Sequence, residues 1–317
     1  MDTKIMSLGW YVRFVPVELM ETMDDFYAKV IGLPRLWHSR VFDGKPENKD
    51  LYWAGEAIVE NHNYGGWDAP VSEREACPDT ARQVQIFRVR DLDEIVAGLR
   101  GQGVTVFGPS PCLFGHEAFV LDPMGMLFGL RERDANSPLV EDQVAAQRRE
   151  RGEAFNPGCK RMPPSWQEIG WVRMRAKDLN ALRAFYAQQL GLRCITDLDE
   201  AVLFDLGDNT TLELAAGGVA RPPPLQQMNS LSAMILRVAS TTAINARLKS
   251  NGVHFVHDLI QIAKGDLSYV CDPEGNVIGL SDRRHPGAYV DSLPRALPPV
   301  SLEDVEAERR WIESHRS

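Results

Sequence analysis

In two similar stretches of the chain, aromatic and arginine residues occupy every second position and Val or Met lies between them. These stretches are Tyr11-Val-Arg13 and Trp171-Val-Arg-Met-Arg175. If the intervening aliphatic residues face a layer of helices, strand geometry places the aromatic and arginine side chains together on the opposite face. Guanidinium groups bind carboxylates through paired hydrogen bonds, and Trp and Tyr provide flat apolar walls. The pattern predicts a pocket for a small anionic aromatic ligand. Its predicted members are Tyr11, Arg13, Trp171, Arg173 and Arg175, with Arg88 and Arg237 at equivalent positions of two further strands.

The two stretches begin the two copies of an internal repeat. Residues 11–33 and 171–192 each have the pattern of a strand, an acidic helix opener, an amphipathic helix containing Phe-Tyr, and a Gly-Leu exit. The offset between the copies is 160 residues and falls to 159 within the helix. Such a repeat predicts a repeated architecture.

A second strand and helix follow in each copy, and the similar turns Asp122-Pro-Met-Gly125 and Asp272-Pro-Glu-Gly275 join the last two strands. Asp91-Leu-Asp-Glu94 predicts a capping box at the start of one of these helices. The sequence therefore predicts an α+β fold with four βαβββ units in two pairs. We divide the chain into a first repeat (1–131), a linker with a charged helix (132–163), a second repeat (164–283) and a Pro-rich C-terminal strap with a terminal helix (284–317).

Composition limits the partners of the chain. A net charge of −9 and a pI of about 5.4 argue against nucleic acid and anionic membrane surfaces, which attract clustered positive charge. The five cysteines form no CxxC pair, and no long apolar segment or signal-like start is present. We expect a cytoplasmic protein with free thiols and a small-molecule ligand, and the sequence leaves homodimer formation open.

The strand–Asp–helix opening with Phe-Tyr and Gly-Leu, and the Asp-Pro-x-Gly ending, resemble the vicinal oxygen chelate superfamily, which contains glyoxalase I, extradiol dioxygenases and bleomycin resistance proteins. The resemblance covers about residues 8–131 and 168–282 and implies that paired units form two curved, cup-shaped mixed sheets with helices outside. It leaves open whether units pair within or across repeats. It also implies a divalent metal in the cup, held by a His or Gln from first strands and a Glu from last strands. The matching first-strand positions are Tyr11, Val84, Trp171 and Ala233, and the matching last-strand positions are Glu60, Gly129, Glu213 and Gly279.

Each implied cup therefore has one carboxylate, Glu60 or Glu213, whereas a catalytic metal usually has about three protein ligands. We expect a protein without the usual metal centre that binds or transforms a small anionic aromatic or carbonyl compound. Glu60 and Glu213 are its candidate acid/base residues, unless they pair with the arginines. One alternative is a metal-dependent lyase, isomerase or ring-cleaving dioxygenase that holds Fe, Mn, Ni or Zn through Glu60 and His62. Another alternative is a non-catalytic scaffold or regulatory protein.

Overall fold

The described part of the chain comprises most of both repeats. The computed structural model describes residues 3–39, 48–55, 57–63, 78, 81–113, 115–133, 165–207, 210–219, 223–224, 230–262 and 265–282. The helices predicted at residues 140–153 and near the C-terminus lie outside these residues, as do nearly all of the predicted linker and strap. None of the helices in the described ranges is long and apolar enough to cross a membrane.

Each repeat contains two units, and each unit has one strand before its helix and three after it. Unit 1 consists of β1 (Ile5–Phe14), α1 (Met20–Asp25), β2 (Arg35–Ser39), β3 (Asn48–Ala54) and β4 (Ala57–Asn63). Unit 2 consists of β5 (Gln83–Val89), α2 (Leu92–Gly101), β6 (Val106–Cys112), β7 (Gly115–Leu121) and β8 (Leu127–Arg133). Unit 3 consists of β9 (Trp166–Ala176), α3 (Leu179–Ala184), β10 (Arg193–Asp197), β11 (Ala201–Gly207) and β12 (Thr210–Ala216). Unit 4 consists of β13 (Ser232–Val238), α4 (Thr241–Ser250), β14 (Phe255–Ile262), β15 (Gly265–Cys271) and β16 (Val277–Ser281).

The units pair across the repeats and form two mixed sheets of eight strands each. Sheet I has the order β14-β15-β16-β13-β1-β4-β3-β2, so it joins unit 4 to unit 1. Sheet II has the order β10-β11-β12-β9-β5-β8-β7-β6 and joins unit 3 to unit 2. The joining pairs, β1 with β13 and β5 with β9, are antiparallel. The predicted α+β class and unit order are confirmed, and the pairing left open by the sequence is the cross-repeat one.

The Phe-Tyr segments link the two sheets. Each lies in a single π-helical turn, Phe26–Val30 after α1 and Phe185–Gln189 after α3. The Tyr27 hydroxyl donates to Asp122 Oδ2 at 3.1 Å, and the Tyr186 hydroxyl donates to Asp272 Oδ2 at 3.1 Å. The other oxygen of each aspartate accepts two backbone N–H groups of its own Asp-Pro turn. Unit 1 is thereby bonded to unit 2, and unit 3 to unit 4, although the members of each pair belong to different sheets.

Capping side chains begin the helices of units 3 and 4, whereas the helix of unit 2 begins without one of its own. Asp178 and Ser240 cap α3 and α4 by accepting backbone N–H groups three residues later. The predicted capping box at Asp91 is wrong, because Asp91 has a left-handed backbone (φ 58°) and its side chain makes no cap hydrogen bond. The N–H groups of Asp91 and Leu92 instead donate to the carboxylate of Glu132 in β8, a contact between distant residues that local sequence does not reveal.

Candidate functional site

Four buried charges occupy the face of sheet II that is directed away from the helices. Strand register pairs Arg173 of β9 with Glu213 of β12, and Arg131 of β8 with Glu117 of β7. Arg173 contacts Glu117 through Nη1 (2.8 Å) and Nη2 (2.7 Å), and Glu213 Oε1 through Nε (2.9 Å). Arg131 Nη2 lies 2.7 Å from Glu117 Oε2 and 2.9 Å from Glu213 Oε2. We call these four residues the arginine–glutamate square.

All four groups of the square are charged near neutral pH. Burial alone would raise the pKa of Glu213, but Arg131 and Arg173 lower it to about 2. The pKa of Glu117 is likewise lowered, because the two arginines outweigh the effect of its burial. Burial would lower the pKa of Arg131 and Arg173, and the glutamates raise it instead. The square therefore has no group that gains or loses a proton near pH 7, and it can act through hydrogen bonding and charge.

An apolar cluster on the same face adjoins the square. It is separate from the main core and has Trp171 as its largest member; the others are Ala81, Val84, Ile86, Phe119 and Leu127. The Arg131 guanidinium carbon lies 4.6 Å from the centre of the Trp171 ring, and that of Arg88 lies 5.1 Å from it. Arg88 is buried and forms an ion pair with Glu168. We call this face of sheet II its cup. The cup of sheet II thus combines flat apolar walls with paired guanidinium groups.

Glu60 occupies the equivalent place in sheet I with different neighbours. Lys49 Nζ lies 2.9 Å and His62 Nδ1 lies 2.8 Å from Glu60 Oε1. Burial would raise the pKa of Glu60, but Lys49 and His62 lower it well below its usual range, so Glu60 is an anion and not an acid at neutral pH. The register positions of Arg131 and Arg173 correspond here to Ser281 and Val12, so the square is absent from the described residues of this cup.

The structure corrects the predicted positions of Tyr11 and Arg13. Their side chains face the interior between the two sheets: the Tyr11 hydroxyl donates to Gln83 O at 3.0 Å, and Arg13 Nε donates to Asn61 Oδ1 at 3.2 Å, with its guanidinium stacked on Tyr27. The residue equivalent to Trp171 is Trp10, not Tyr11.

Bulges establish this equivalence, because the register skips Gly9 in β1 and Gly170 in β9, the glycines that precede the two tryptophans. The offset in the strand is therefore 161 residues, and a slip of one residue exchanges the two faces of a strand.

The remaining predicted binding residues are distributed over both sheets. Arg173 and Trp171 lie together in the cup of sheet II, close to Arg88. Arg175 lies at the end of β9, where Nη1 donates to Ala216 O at 3.3 Å. Arg237 is buried in sheet I beside Ser281, so it does not share a cup with Arg173. The alternative that the sequence left open, pairing with a glutamate, describes Arg173 correctly.

Among the described residues, the donor sets of the two cups do not fit a divalent metal. In sheet II, both oxygens of Glu213 accept hydrogen bonds from arginine cations. The last-strand glycines leave no room for a further carboxylate: a Cβ atom on Gly129 would lie 2.7 Å from Ile86 Cγ1, and one on Gly279 would lie 2.3 Å from Ile235 Cδ1. In sheet I, Glu60 and His62 are adjacent, but the Lys49 cation binds the same carboxylate oxygen as His62.

One other group has metal-like spacing among the described residues. Donor atoms of Asp24, His38 and Asp50 lie within 4.8 Å of one another. Arg35 already donates to both oxygens of Asp24, and the Tyr52 hydroxyl donates to Asp24 Oδ1 at 2.6 Å. The His38 ring is 2.9 Å from Asp50 Oδ1. This group is a hydrogen-bonded ion-pair network close to the edge strand β2 of sheet I.

Sequence reasoning missed two members of the square, Glu117 and Arg131. A signal for Arg131 was present, because it lies two residues after Gly129 and therefore on the same strand face. The dipeptides Gly9-Trp10 and Gly170-Trp171 could likewise have set the correct repeat register. Nothing comparable marks Glu117, whose role depends on strand pairing in the folded protein.

The comparisons with known proteins agree with this architecture. Residues 168–280 match the family model of the Glyoxalase/Bleomycin resistance protein/Dioxygenase superfamily. A candidate dioxygenase from Bacillus subtilis is similar over 98% of this chain and 96% of its own, with a TM-score of 0.60 and 15% identity. Glyoxalase I from Zea mays is similar over 87% of this chain and 92% of its own, with a TM-score of 0.58 and 16% identity. Among curated proteins, no relative matches.

Residues 168–280 are therefore similar to the glyoxalase/bleomycin resistance/dioxygenase superfamily, and the described part of the chain has the vicinal oxygen chelate fold.

Proposed function

We propose that this protein is a metal-independent small-molecule protein that binds its ligand in the cup of sheet II. The observation that carries the proposal is the arginine–glutamate square. Two arginine cations bind both oxygens of Glu213, the carboxylate at the position where the resemblance implies a metal ligand. They supply there the positive charge that a divalent ion would supply. The apolar cluster beside the square provides the contact surface expected of a small-molecule site.

The protonation states favour binding over acid/base catalysis. Glu117 and Glu213 have lowered pKa values and Arg131 and Arg173 have raised ones, so none of them transfers protons readily at neutral pH. Any chemistry in this cup would rely on guanidinium groups that stabilise negative charge developing on the ligand. Sequestering a small compound requires no such step, and it is the simpler function for this arrangement.

A metal-dependent lyase, isomerase or dioxygenase is the second candidate, and one observation favours it. His62 and Glu60 lie side by side in sheet I, with Nδ1 and Oε1 2.8 Å apart. These two residues would hold Fe, Mn, Ni or Zn if the Lys49 ammonium group were displaced. Such a site would need at least one further ligand.

Elemental analysis of the purified protein separates the two candidates. We expect well below one equivalent of Fe, Mn, Ni or Zn after incubation with each metal and removal of the excess. Glu60→Ala should leave this low content unchanged, as should Glu200→Ala, a control at an exposed glutamate. A stoichiometric metal that disappears in Glu60→Ala and persists in Glu200→Ala would establish the metal-dependent candidate instead.

A further inference from the structure

The arginine–glutamate square has unused hydrogen-bond donors and no unused carboxylate oxygen. Arg131 uses Nε and Nη2 for the two glutamates, whereas its Nη1 is buried and has no hydrogen-bond partner among the described residues. All four carboxylate oxygens of Glu117 and Glu213 already accept a hydrogen bond from an arginine. Buried donors in folded proteins almost always have an acceptor, so an unpaired one indicates a bound water or ligand oxygen.

The side chain stacked on Arg131 has a second unused donor. Trp171 Nε1 is buried and has no hydrogen-bond partner in the described part of the chain. The Trp171 ring centre is 4.6 Å from the Arg131 guanidinium carbon, so both donors belong to one stacked pair. Trp171 also forms part of the apolar cluster with Ile86 and Phe119. Unpaired N–H donors and apolar side chains therefore adjoin one another, an arrangement that complements an apolar molecule carrying an acceptor oxygen.

The paired charges of the site favour a neutral ligand over an anionic one. The square contains two arginines and two glutamates, and the neighbouring Arg88 is neutralised by Glu168. A carboxylate ligand would add an uncompensated negative charge to a buried site next to Glu117 and Glu213, which is unfavourable. A neutral carbonyl oxygen accepts the same hydrogen bonds without that charge.

We infer that the cup of sheet II binds a neutral aromatic carbonyl compound, whose oxygen accepts hydrogen bonds from Arg131 Nη1 and Trp171 Nε1. This inference rests on the proposed metal-independent function and narrows its ligand class. It revises the anionic ligand expected from the arginine content of the sequence, because the structure shows that the arginines of this cup are already neutralised.

The test compares two probes of similar size, acetophenone and benzoate, by titration calorimetry with the full chain. We expect acetophenone to bind at least tenfold more tightly than benzoate. Trp171→Phe retains a flat ring and removes the donor, and its affinity for acetophenone should fall about five- to tenfold, as expected for one lost hydrogen bond. Trp10→Phe, at the equivalent position of sheet I, is the matched control and should change affinity less than about twofold.

Arg131→Lys provides a second variant that keeps the positive charge and removes Nη1, with circular dichroism to verify folding. It too should weaken acetophenone binding. Equal or tighter binding of benzoate by the metal-free protein would overturn the neutral-ligand inference and leave the proposed function standing. Binding of either probe only after addition of Fe, Mn, Ni or Zn would overturn both. Equal loss of affinity in Trp171→Phe and Trp10→Phe would overturn the assignment to sheet II, as would absence of binding under all conditions.

Discussion

Glu213→Gln tests whether the ion pairs of the arginine–glutamate square stabilise the folded protein. The substitution preserves the shape of the side chain and removes the charge that Arg131 and Arg173 bind. In the folded protein the pKa of Glu213 falls from an ordinary value of 4.5 to about 2. At 1.36 kcal/mol per pKa unit, this shift corresponds to roughly 3 kcal/mol of stability at neutral pH. Removing one partner of a buried ion pair typically costs about 3–5 kcal/mol, so the two magnitudes agree.

The sign of the pH dependence follows from the lowered pKa. A group whose pKa is depressed by folding stabilises the protein above the unfolded pKa and loses that contribution as the pH falls through the folded value. We therefore expect the Glu213 contribution to be complete above about pH 5 and to disappear towards pH 2. Glu213→Gln should be less stable than the parent by roughly 3 kcal/mol at pH 7 and should approach it at low pH.

Urea unfolding at a series of pH values measures this difference directly. Glu200→Gln is the matched control, because Glu200 is an exposed residue of the same unit, and it should change stability by less than about 0.5 kcal/mol. A loss below about 1 kcal/mol in Glu213→Gln at pH 7, or a loss that is constant across the pH series, would refute the argument.

Two further substitutions test other features of the fold. Gly279→Ala should destabilise the protein by about 1–3 kcal/mol in thermal unfolding, because its Cβ would meet Ile235. Ile235→Ala alone leaves a cavity, but the double variant should lose less stability than the sum of the two single losses, since the smaller side chain makes room for the new Cβ. Additive losses would contradict this. Glu274→Met introduces methionine, the residue at the corresponding position of the first repeat, Met124. It should cost about 1 kcal/mol in urea unfolding, since the carboxylate accepts the N–H groups of Lys177 and Asp178 at the start of α3, and an unchanged midpoint would show that these bonds contribute little.

The general architecture could be predicted because both copies of the repeat contain the same motifs. The Phe-Tyr helices, Gly-Leu exits and Asp-Pro turns occur in both copies, and each has a local physical cause. The structure adds that the Tyr and Asp of these motifs bond to one another, Tyr27 to Asp122 and Tyr186 to Asp272. Sequence shows each partner separately, and the bond requires the folded arrangement.

The site was less predictable, since strand faces depend on register. Aligning Tyr11 with Trp171 looked natural from residue types, but bulges at Gly9 and Gly170 place Trp10 at that position. The error placed Tyr11 and Arg13 in the predicted cup. Side chains along a strand alternate between its two faces, so an alignment error of one residue assigns every side chain to the wrong face. Cross-strand partners such as Glu117 come from pairings that no local pattern encodes.

Cross-repeat pairing has a consequence for fragments of the protein. A polypeptide ending near residue 133 would contain units 1 and 2, which belong to different sheets, and would expose β1 and β5 as unpaired edges. The complementary fragment would expose β9 and β13 in the same way. Exposed edges of this kind recruit other strands. Neither fragment should be a stable monomer, and co-expression of the two should reconstitute both sheets through the β1–β13 and β5–β9 pairs. The folding unit of this chain is therefore the interleaved whole and not the single repeat.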